Sequence, residues 1–433
     1  MRESPNPAWV LALLLLIAGI ALPTGFYGGF LPWFLIESIA AALLCRFAWT
    51  AEVSRLNRGW QAAWPLAAWL AISALLALLQ LALGSTESRF DTFRQLHHFA
   101  GGLLVIPMVW LAFPLLCRES FSKGAVPLGS VLLVLSLTWG ALASGAPNPD
   151  GNALVWWPFV YRNHYAAFVL LLLPALVWAA FTFRESRWWA ATGIVAGVAG
   201  VVSCGSRSGI VLLAILLGAL AVILPAKGKR RDTVRLLVAA GSLVAAGIAL
   251  ADAEILAWRL RNAGPLLEGR LEYWHASLKM IAERPLLGWG FGTWPEVYLQ
   301  FLTRDSGLVV NHAHSDWLEY TAEGGILVPI ALATLFARSL WLSLRYPWAL
   351  GVPAMLLLAM VDYPLRLPLL LLGMILVYCA SELAHRGDIC ASELAHRSEE
   401  SGYSKPPEAE GSSWAVEGVR SSGMDSIIAR TFR

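Results

Sequence analysis

The sequence predicts an all-α integral membrane protein of about twelve transmembrane helices, with one large extracytoplasmic loop that contains amphipathic helices. Of its 433 residues, 58% are hydrophobic and 14% are charged, whereas soluble domains are near half apolar and about a quarter charged. Uncharged apolar runs such as 10–22 and 212–224 are too many for a water-soluble fold to bury. The net charge of +3 is small and scattered, so no nucleic-acid partner is expected.

Hydropathy and basic residues together predict the topology. Apolar segments predict spans at residues 8–22, 29–48, 62–83, 98–116, 126–144, 162–182, 188–203, 208–225, 235–251, 325–343, 347–362 and 367–380. Arg and Lys occur in every second connection, for example at Arg55, Arg118 and Lys229. Because basic residues mark cytoplasmic loops, these connections and both termini are predicted to be cytoplasmic.

The connection between the ninth and tenth predicted spans is unusually long and is predicted to face outward. It runs from about residue 251 to 316 and is rich in Trp and Tyr, far beyond an ordinary connection. Arg270, Trp274, Leu278 and Ile281 share one helical face. This pattern predicts an amphipathic helix that lies on the membrane or on the mouth of the helix bundle.

Four segments follow from this layout. They are predicted spans 1–9 within residues 1–250, the outward loop in 251–316, spans 10–12 within 317–384, and a tail in 385–433. The tail is rich in Ser, Glu, Gly and Pro, a composition that buries too little apolar surface to order itself, so disorder is predicted. The octapeptide CASELAHR of 379–386 recurs at 390–397, and no function is assigned to this duplication.

Arginines are unusually frequent in the predicted outward connections, among them Arg162, Arg207, Arg270 and Arg366. A planar guanidinium suits bidentate contact with phosphate oxygens, so one interpretation is an anionic, phosphorylated substrate on the outer side. The alternative is that they pair with headgroups of membrane lipids or with nearby carboxylates. Arg207 opens a helix in the segment GSRSG, where free N–H groups favour an anion. Arg270 heads the apolar stripe of the amphipathic helix.

A second polar group precedes the tenth span, in the segment NHAHSDWLE of residues 311–319. His314 is a candidate general base, because an unperturbed imidazole accepts a proton near neutral pH. The alternative is a structural, hydrogen-bonded histidine. His312, His314 and Asp316 alternate and could also bind a metal, but alternation converges on a strand and not on a helix. No metal and no cofactor are therefore expected.

Three weaker segments accompany these groups. The segment GWGFG at 288–292 lacks the strand context of a nucleotide loop, so a tight turn beside the membrane is predicted. Arg162 and Asn163 lie in YRNHY at the start of the sixth span, and Arg366 lies in DYPLR between the last two spans. Both segments could line an outer cavity or anchor a loop at the membrane interface.

Taken together, these features resemble the O-antigen ligase and O-antigen polymerase superfamily of bacterial envelope proteins. The matching features are the multi-span layout with one large outward loop, Arg207 in its GSRSG turn, and Arg270 in the loop. The segment HSDWLE that begins at His314, followed by EGG, matches as well. The resemblance covers about residues 60–380.

Smaller segments extend the resemblance. Arg162 and Asn163, with the DYP segment that begins at Asp362, are similar to segments of superfamily members. Members commonly have Asn directly after the histidine, where this chain has Ser315. That difference concerns a supporting residue and leaves His314 in place.

The resemblance implies a GT-C-like membrane enzyme, a metal-independent, inverting glycosyltransferase. It would take a glycan, the O-antigen, from undecaprenyl diphosphate at the periplasmic face of the bacterial inner membrane. In ligases the acceptor is lipid A–core, and in polymerases it is another lipid-linked repeat unit. The ligase is favoured slightly, with an O-antigen or exopolysaccharide polymerase as the alternative. A transporter of an anionic lipid or solute is the third hypothesis. It is less favoured because such transporters tend to have matched internal repeats, and this chain shows none.

Residue roles follow from the same resemblance. His314 would take the proton from the acceptor hydroxyl. Arg207 and Arg270 would hold the diphosphate and neutralise the charge that develops on the leaving group. The other substrate-binding candidates are Arg162, Asn163, His312 and Arg366.

Residue 268 is predicted to lie outside the cytoplasm. In a variant without the native cysteines, Glu268→Cys is expected to react with a membrane-impermeant maleimide in intact cells with a permeabilised outer membrane, because the loop is exposed there. Lys229→Cys, in a predicted cytoplasmic connection, is the control and should react only after lysis. The reverse pattern would overturn the topology and the outward placement of His314.

Overall fold

The computed structural model describes residues 59–112, 121–143, 159, 161–224, 263–303 and 310–400. The predicted spans at 8–22, 29–48 and 235–251 lie outside the described residues, as does the tail from 401 onward.

Within these ranges the chain is built almost entirely of helices. The first six are α1 (Trp64–Leu83), α2 (Arg89–Ala112), α3 (Val126–Ala143), α4 (Arg162–Thr182), α5 (Arg187–Ser203) and α6 (Arg207–Ile223). The next six are α7 (Ala263–Glu283), α8 (Trp294–Val297), α9 (Asp316–Gly324), α10 (Leu327–Arg345), α11 (Gly351–Leu358) and α12 (Pro368–Glu400). A π-helical turn (Phe121–Ala125) and 3₁₀ turns (Tyr298–Phe301, Pro347–Leu350, Pro364–Arg366) join some of them.

Five helical segments of the described chain are long and apolar enough to cross a membrane. They are α1, α4, α10, the window Lys123–Gly140 around α3 and the window Pro368–Gly387 in α12. Helices α2, α5 and α6 occupy three more of the predicted spans. The predicted span at 347–362 is a short apolar helical segment, Pro347–Leu358, well below the roughly 20 residues that cross a bilayer. The total of about twelve spans stays a prediction.

The main core is apolar and lies between the helices. Helix α1 packs on α2 and α10, α4 packs on α5 and α11, and α12 packs on α2. Between α1, α2 and α9, four buried rings meet: Trp69, Phe99, Phe291 and Tyr320. The Phe99 and Phe291 ring centroids are 4.9 Å apart with an edge-to-face angle of 71°, a favoured aromatic geometry. This ring cluster forms an apolar floor beneath α9.

A second core orders the described part of the predicted outward loop. Trp294 and Tyr298 stack with centroids 4.1 Å apart and close on Tyr273 and Met280 of α7. The indole N–H of Trp294 donates to Ser277 Oγ at 2.9 Å. Trp294 is therefore buried with its indole donor satisfied, as its amphipathic ring requires.

The buried face of α7 differs from the predicted stripe. Tyr273, Ala276 and Met280 are buried, whereas Leu278 is 56% exposed. The helix turns the face with Tyr273, Ala276 and Met280 toward the stacked Trp294–Tyr298 pair. Leu278 lies outside this contact, and the placement of the predicted stripe on the membrane or on the bundle mouth stays a prediction. Trp274 lies at the edge of this face and donates from Nε1 to Ala313 O at 3.0 Å.

The last helix continues past the predicted start of the tail. Helix α12 runs to Glu400 and so extends into the first part of the predicted tail, residues 385–400, while the disorder of the tail stays a prediction. Both copies of CASELAHR lie in this helix. The physical reason is local: Ala, Glu, Leu and Arg all have high helix propensity, and the first copy packs at its start through the buried Cys379.

The GWGFG segment forms a tight turn, as predicted. Gly288, Gly290 and Gly292 all have positive φ, at 66°, 109° and 81°, which residues with a side chain rarely adopt. Trp289 N and Gly290 N donate to the carbonyls of Ala322 and Glu323 at the end of α9, both at 3.0 Å. A Cβ at Gly290 would collide with Thr86, so the turn closely contacts the α1–α2 connection.

Gln80 of α1 fastens this turn to α9 from inside the bundle. Its Nε2 donates to Glu323 O at 2.7 Å and to Leu287 O at 2.5 Å. Its Oε1 accepts from Phe291 N at 3.2 Å. Because the side chain is fully buried, one residue satisfies three backbone groups that water does not reach.

Gln80→Leu is expected to lower the free energy of unfolding by about 2 kcal/mol, because it leaves buried backbone groups without partners. Thermal unfolding of the detergent-solubilised protein measures the loss. Gln61→Leu, at an exposed position just before α1, is the matched control and should unfold with the parent. Equal stability of the two variants would contradict the role given to Gln80.

Candidate functional site

His314 lies at the entrance to α9 in an unusual backbone conformation. Its φ is +52°, the one positive φ at a non-glycine residue in the described chain. Ser315 is the N-cap of α9, and its Oγ accepts from Leu318 N at 3.3 Å. Such a conformation costs free energy and persists where neighbouring contacts fix it, which is frequent at functional sites. Because its Oγ accepts from Leu318 N, Ser315 caps α9 at the position after the histidine.

Asp362 is the partner of His314. The Nδ1 atom of His314 lies 3.3 Å from Asp362 Oδ1, and the histidine side chain keeps 21% of its surface exposed. Asp362 is fully buried in the connection between α11 and α12. Burial acts to raise its pKa, but the hydrogen bond from His314, followed by the electrostatic effects of His164, His314 and Arg270, outweighs burial and lowers the pKa. An ionised Asp362 therefore keeps a proton on Nδ1 and leaves Nε2 as the free acceptor.

His312 forms a second pair of the same kind. Its Nδ1 lies 2.9 Å from Glu319 Oε1, while Glu319 Oε2 accepts from Ala313 N at 2.7 Å. Burial lowers the pKa of His312 even though Glu319 opposes this. Tyr363 lies between the two histidines, with its ring centroid 4.1 Å from that of His312 and 5.4 Å from that of His314.

Arg366 is buried among three carboxylates of α9. Its Nη2 lies 2.6 Å from Glu323 Oε2 and 3.0 Å from Glu319 Oε1, and its Nε lies 3.8 Å from Asp316 Oδ1. The guanidinium also covers the ring of Tyr320 at 4.5 Å. The fork of Arg366 is occupied by protein carboxylates, so the residue holds α9 against the α11–α12 connection. The predicted role of Arg366 in substrate binding stays a prediction.

Charge compensation inside this cage is unequal. Burial raises the pKa of Glu323 to about 7, and Arg366 offsets that rise only in part. For Glu319, burial is outweighed by Arg366 and His312, which lower the pKa. Burial acts to lower the pKa of Arg366, but the two glutamates outweigh it and raise the pKa. Within the cage, Arg366 is thus paired with one carboxylate that is firmly ionised, that of Glu319, whereas burial favours the protonated form of Glu323.

Three predicted arginines gather on the other side of His314. Arg270 and Arg162 lie close enough to Arg207 for their charges to repel it. Arg270 donates from Nη1 to Val361 O at 2.9 Å and from Nη2 to Tyr161 OH at 3.5 Å. Within the described ranges, no carboxylate forms a salt bridge with any of the three. Among the described residues, their positive charge is therefore not compensated by a salt bridge.

Tyr161 and Asn163 connect this arginine cluster to the histidine. The Tyr161 ring centroid is 6.1 Å from that of His314, and its hydroxyl accepts from Asn163 Nδ2 at 3.2 Å. Asn163 Oδ1 accepts from Ser206 Oγ at 2.7 Å. Asn163 was predicted to bind substrate; its buried amide is used to tie α4 to the turn before α6. Burial and Asp362 raise the pKa of Tyr161 to about 12, so the phenol stays neutral.

The structure brings the main predicted residues together and adds others. His314 meets the arginine cluster through Tyr161, whereas His312 and Arg366 lie beyond Tyr363. Sequence reasoning missed the three carboxylates around Arg366, although their spacing was a signal. Asp316, Glu319 and Glu323 are three and four residues apart, which places them on one helical face.

The potential metal ligands do not converge. His312 pairs with Glu319 and His314 pairs with Asp362. Asp316 accepts from Leu365 N at 2.8 Å. In the described ranges, no group of three or more His, Cys, Asp or Glu side chains is arranged to hold a metal ion.

Residues 192–333, about a third of the chain, match the protein family described as O-antigen ligase. The resemblance to the O-antigen ligase superfamily is confirmed. The matched region contains Arg207, Arg270, His312 and His314, and the carboxylate and arginine of the α11–α12 connection lie beyond it. A comparison with curated proteins gave no match.

The match to the O-antigen ligase family supports an O-antigen ligase- or polymerase-type activity and a multi-pass bacterial membrane protein. It also implies a lipid-linked glycan and a lipid acceptor as general substrate classes. The helical apolar segments agree with the membrane assignment.

Arg366→Met is expected to lower the free energy of unfolding by about 3–5 kcal/mol, because it leaves buried carboxylates without a counter-ion. Arg366→Lys keeps the charge but loses the fork, so a smaller loss is expected. Arg94→Gln is the control, since the Arg94–Asp91 pair at 3.0 Å is partly exposed and such pairs contribute about 0–1 kcal/mol. Thermal unfolding compares the three, and equal losses would contradict the cage.

Proposed function

We propose that this protein is an inner-membrane glycosyltransferase that transfers a glycan, the O-antigen, from undecaprenyl diphosphate to lipid A–core at the periplasmic face. The observation that carries the proposal is the contact of Tyr161 with both halves of the site. Its hydroxyl accepts from Arg270, and its ring lies beside His314. An anion site and a carboxylate-oriented histidine thus lie within one side chain of each other.

The arginine cluster supports binding of the donor diphosphate. Arg162, Arg207 and Arg270 offer planar forks, which suit bidentate contact with phosphate oxygens. Arg207 is exposed and lies in the first turn of α6, where the helix dipole also favours negative charge. As the bond to the leaving group breaks, the diphosphate gains negative charge, and fixed guanidinium groups stabilise it.

The His314–Asp362 pair supports activation of the acceptor. Asp362 holds the proton on Nδ1, so Nε2 can accept the proton of an acceptor hydroxyl. The hydroxyl oxygen then forms a bond to the anomeric carbon. The bond from that carbon to the diphosphate oxygen breaks, and undecaprenyl diphosphate leaves with the electron pair. Attack from the face opposite the leaving group inverts the anomeric centre.

The residue set supports metal-independent chemistry. Each histidine is oriented by its own carboxylate, and Asp316 is bound to the 3₁₀ turn that follows. In this mechanism the arginines neutralise the charge on the leaving group. The free energy for transfer comes from the bond between the glycan and the diphosphate of the donor. In this proposal the chain has both termini in the cytoplasm and its site in the periplasm.

His314→Ala is expected to reduce transfer by about 10²–10⁴-fold, the usual contribution of a general base, while donor binding is retained. His312→Ala should be milder, because its ring lies beyond Tyr363 from the arginine cluster. Arg207→Lys and Arg270→Lys should instead weaken donor binding, since the charge remains but the fork is lost. In vitro transfer from an undecaprenyl-diphosphate glycan to lipid A–core is measured beside donor binding.

The controls separate chemistry from folding and ligase from polymerase. Thermal unfolding of each variant must match the parent before its rate is interpreted. Gln300→Leu, at an exposed position outside the site, should transfer normally. Full turnover by His314→Ala would remove this residue from the mechanism. Products formed only on a second lipid-linked glycan, with none on lipid A–core, would replace the ligase by the polymerase.

A further inference from the structure

A separate cavity opens beside His312. Its volume is about 240 Å³, below the roughly 300–1,000 Å³ of pockets for drug-sized ligands. Six of its lining residues carry the chemistry: Arg94, Gln95, Asn311, His312, Glu319 and Tyr363. They come from α2, α9 and the two connections that flank α9 and α12. Neither the arginine cluster nor His314 lines it.

Gln95 gives the most specific indication of a ligand. The side chain is 9% exposed, and its Oε1 is buried without a hydrogen-bond partner. The positive-φ glycine Gly292 lies against it, since a Cβ there would be 3.1 Å from Gln95 Cγ. A buried acceptor without a donor is costly. A ligand hydroxyl that enters the cavity would satisfy this oxygen.

The remaining lining groups favour a polyhydroxylated ligand over an anion. Arg94 already pairs with Asp91, and Arg366 is neutralised by its carboxylates. The cavity therefore has little free positive charge. It presents donors from Arg94 and Asn311, acceptors from Gln95 and Glu319, and the ring of Tyr363. Mixed donors and acceptors match the hydroxyls of a sugar.

The position of Tyr363 relates the cavity to the proposed transfer site. The Tyr363 ring stacks on His312, which lines the cavity, and lies 5.4 Å from the ring of His314. It also lies 6.1 Å from the ring of Tyr161, which leads to the arginines. The rings of Tyr161, His314 and Tyr363 are thus mutual neighbours, and Tyr363 also lines the cavity. A glycan in the cavity would lie one side chain away from His314.

We propose that the cavity lined by Gln95, Asn311, His312 and Tyr363 is a saccharide subsite that holds a neutral sugar ring of the acceptor. The acceptor assignment rests on the proposed transferase function, whereas sugar binding itself does not. The sugar's hydroxyls donate to Gln95 Oε1 and accept from Arg94 and Asn311. The subsite would thereby set which acceptor the enzyme accepts.

Saturation-transfer NMR on the full-length protein in detergent tests sugar binding without turnover. The probes are neutral hexoses, heptoses and N-acetylhexosamines at millimolar concentration. Binding of at least one probe is expected, and it should weaken about tenfold in Gln95→Leu and in Asn311→Ala, the loss expected for one hydrogen bond. Asn311 is exposed, so its variant keeps the fold. Gln300→Leu is the matched control and should bind as the parent does.

A second arm measures transfer kinetics on the same variants. Gln95→Leu and Asn311→Ala are expected to raise KM for lipid A–core about tenfold with KM for the donor unchanged. His314→Ala should lose transfer but keep sugar binding. No signal from any probe, or an unchanged signal in both cavity variants, overturns the subsite. Sugar binding that depends on Gln95 in a protein without transferase activity would retain the subsite and refute the proposed function.

Discussion

The ion cage around Arg366 is the interaction on which the rest of the site depends. It joins α9, which carries the histidine segment at its start, to the connection that carries Asp362 and Tyr363. A buried guanidinium and buried carboxylates are each costly alone and compensate only when held together. The cage therefore fixes the distance between His314 and its partner carboxylate, which are 48 residues apart in the chain.

The cage is in turn supported from two directions. Gln80 and the glycine turn hold the end of α9 from the bundle side, while Trp294 N donates to Glu323 Oε1 at 3.2 Å from the loop side. A glutamate of the cage thus lies where the membrane helices and the loop core meet. The loop is a second folded layer on the bundle, and the site occupies the junction between them.

Apolar composition predicted the five described helical segments that are long enough to cross a membrane, because such a helix is defined by residues adjacent in the chain. The tight GWGFG turn could also be predicted from the sequence, because the spacing of its glycines is a local feature. The ion pairs of Arg366 could not be predicted, because its partners come from another helix. The spacing of Asp316, Glu319 and Glu323 nevertheless indicated one acidic face. The partner of His314 is 48 residues away in the chain, so no local pattern indicates it, and the end of α12 depends on helix propensity.

The left-handed backbone at His314 has a consequence for regiochemistry. The backbone is fixed on both sides of His314, since Ala313 N donates to Glu319, and Asp316 N, two residues further on, donates to the carbonyls of Ala359 and Asp362. The imidazole therefore cannot follow a mobile nucleophile from one position to another. The hydroxyl that reacts is therefore the one that the bound acceptor sugar places next to the fixed Nε2 of His314. A change in linkage position would then arise from a change in the shape of the acceptor-binding site and not from a change of the base.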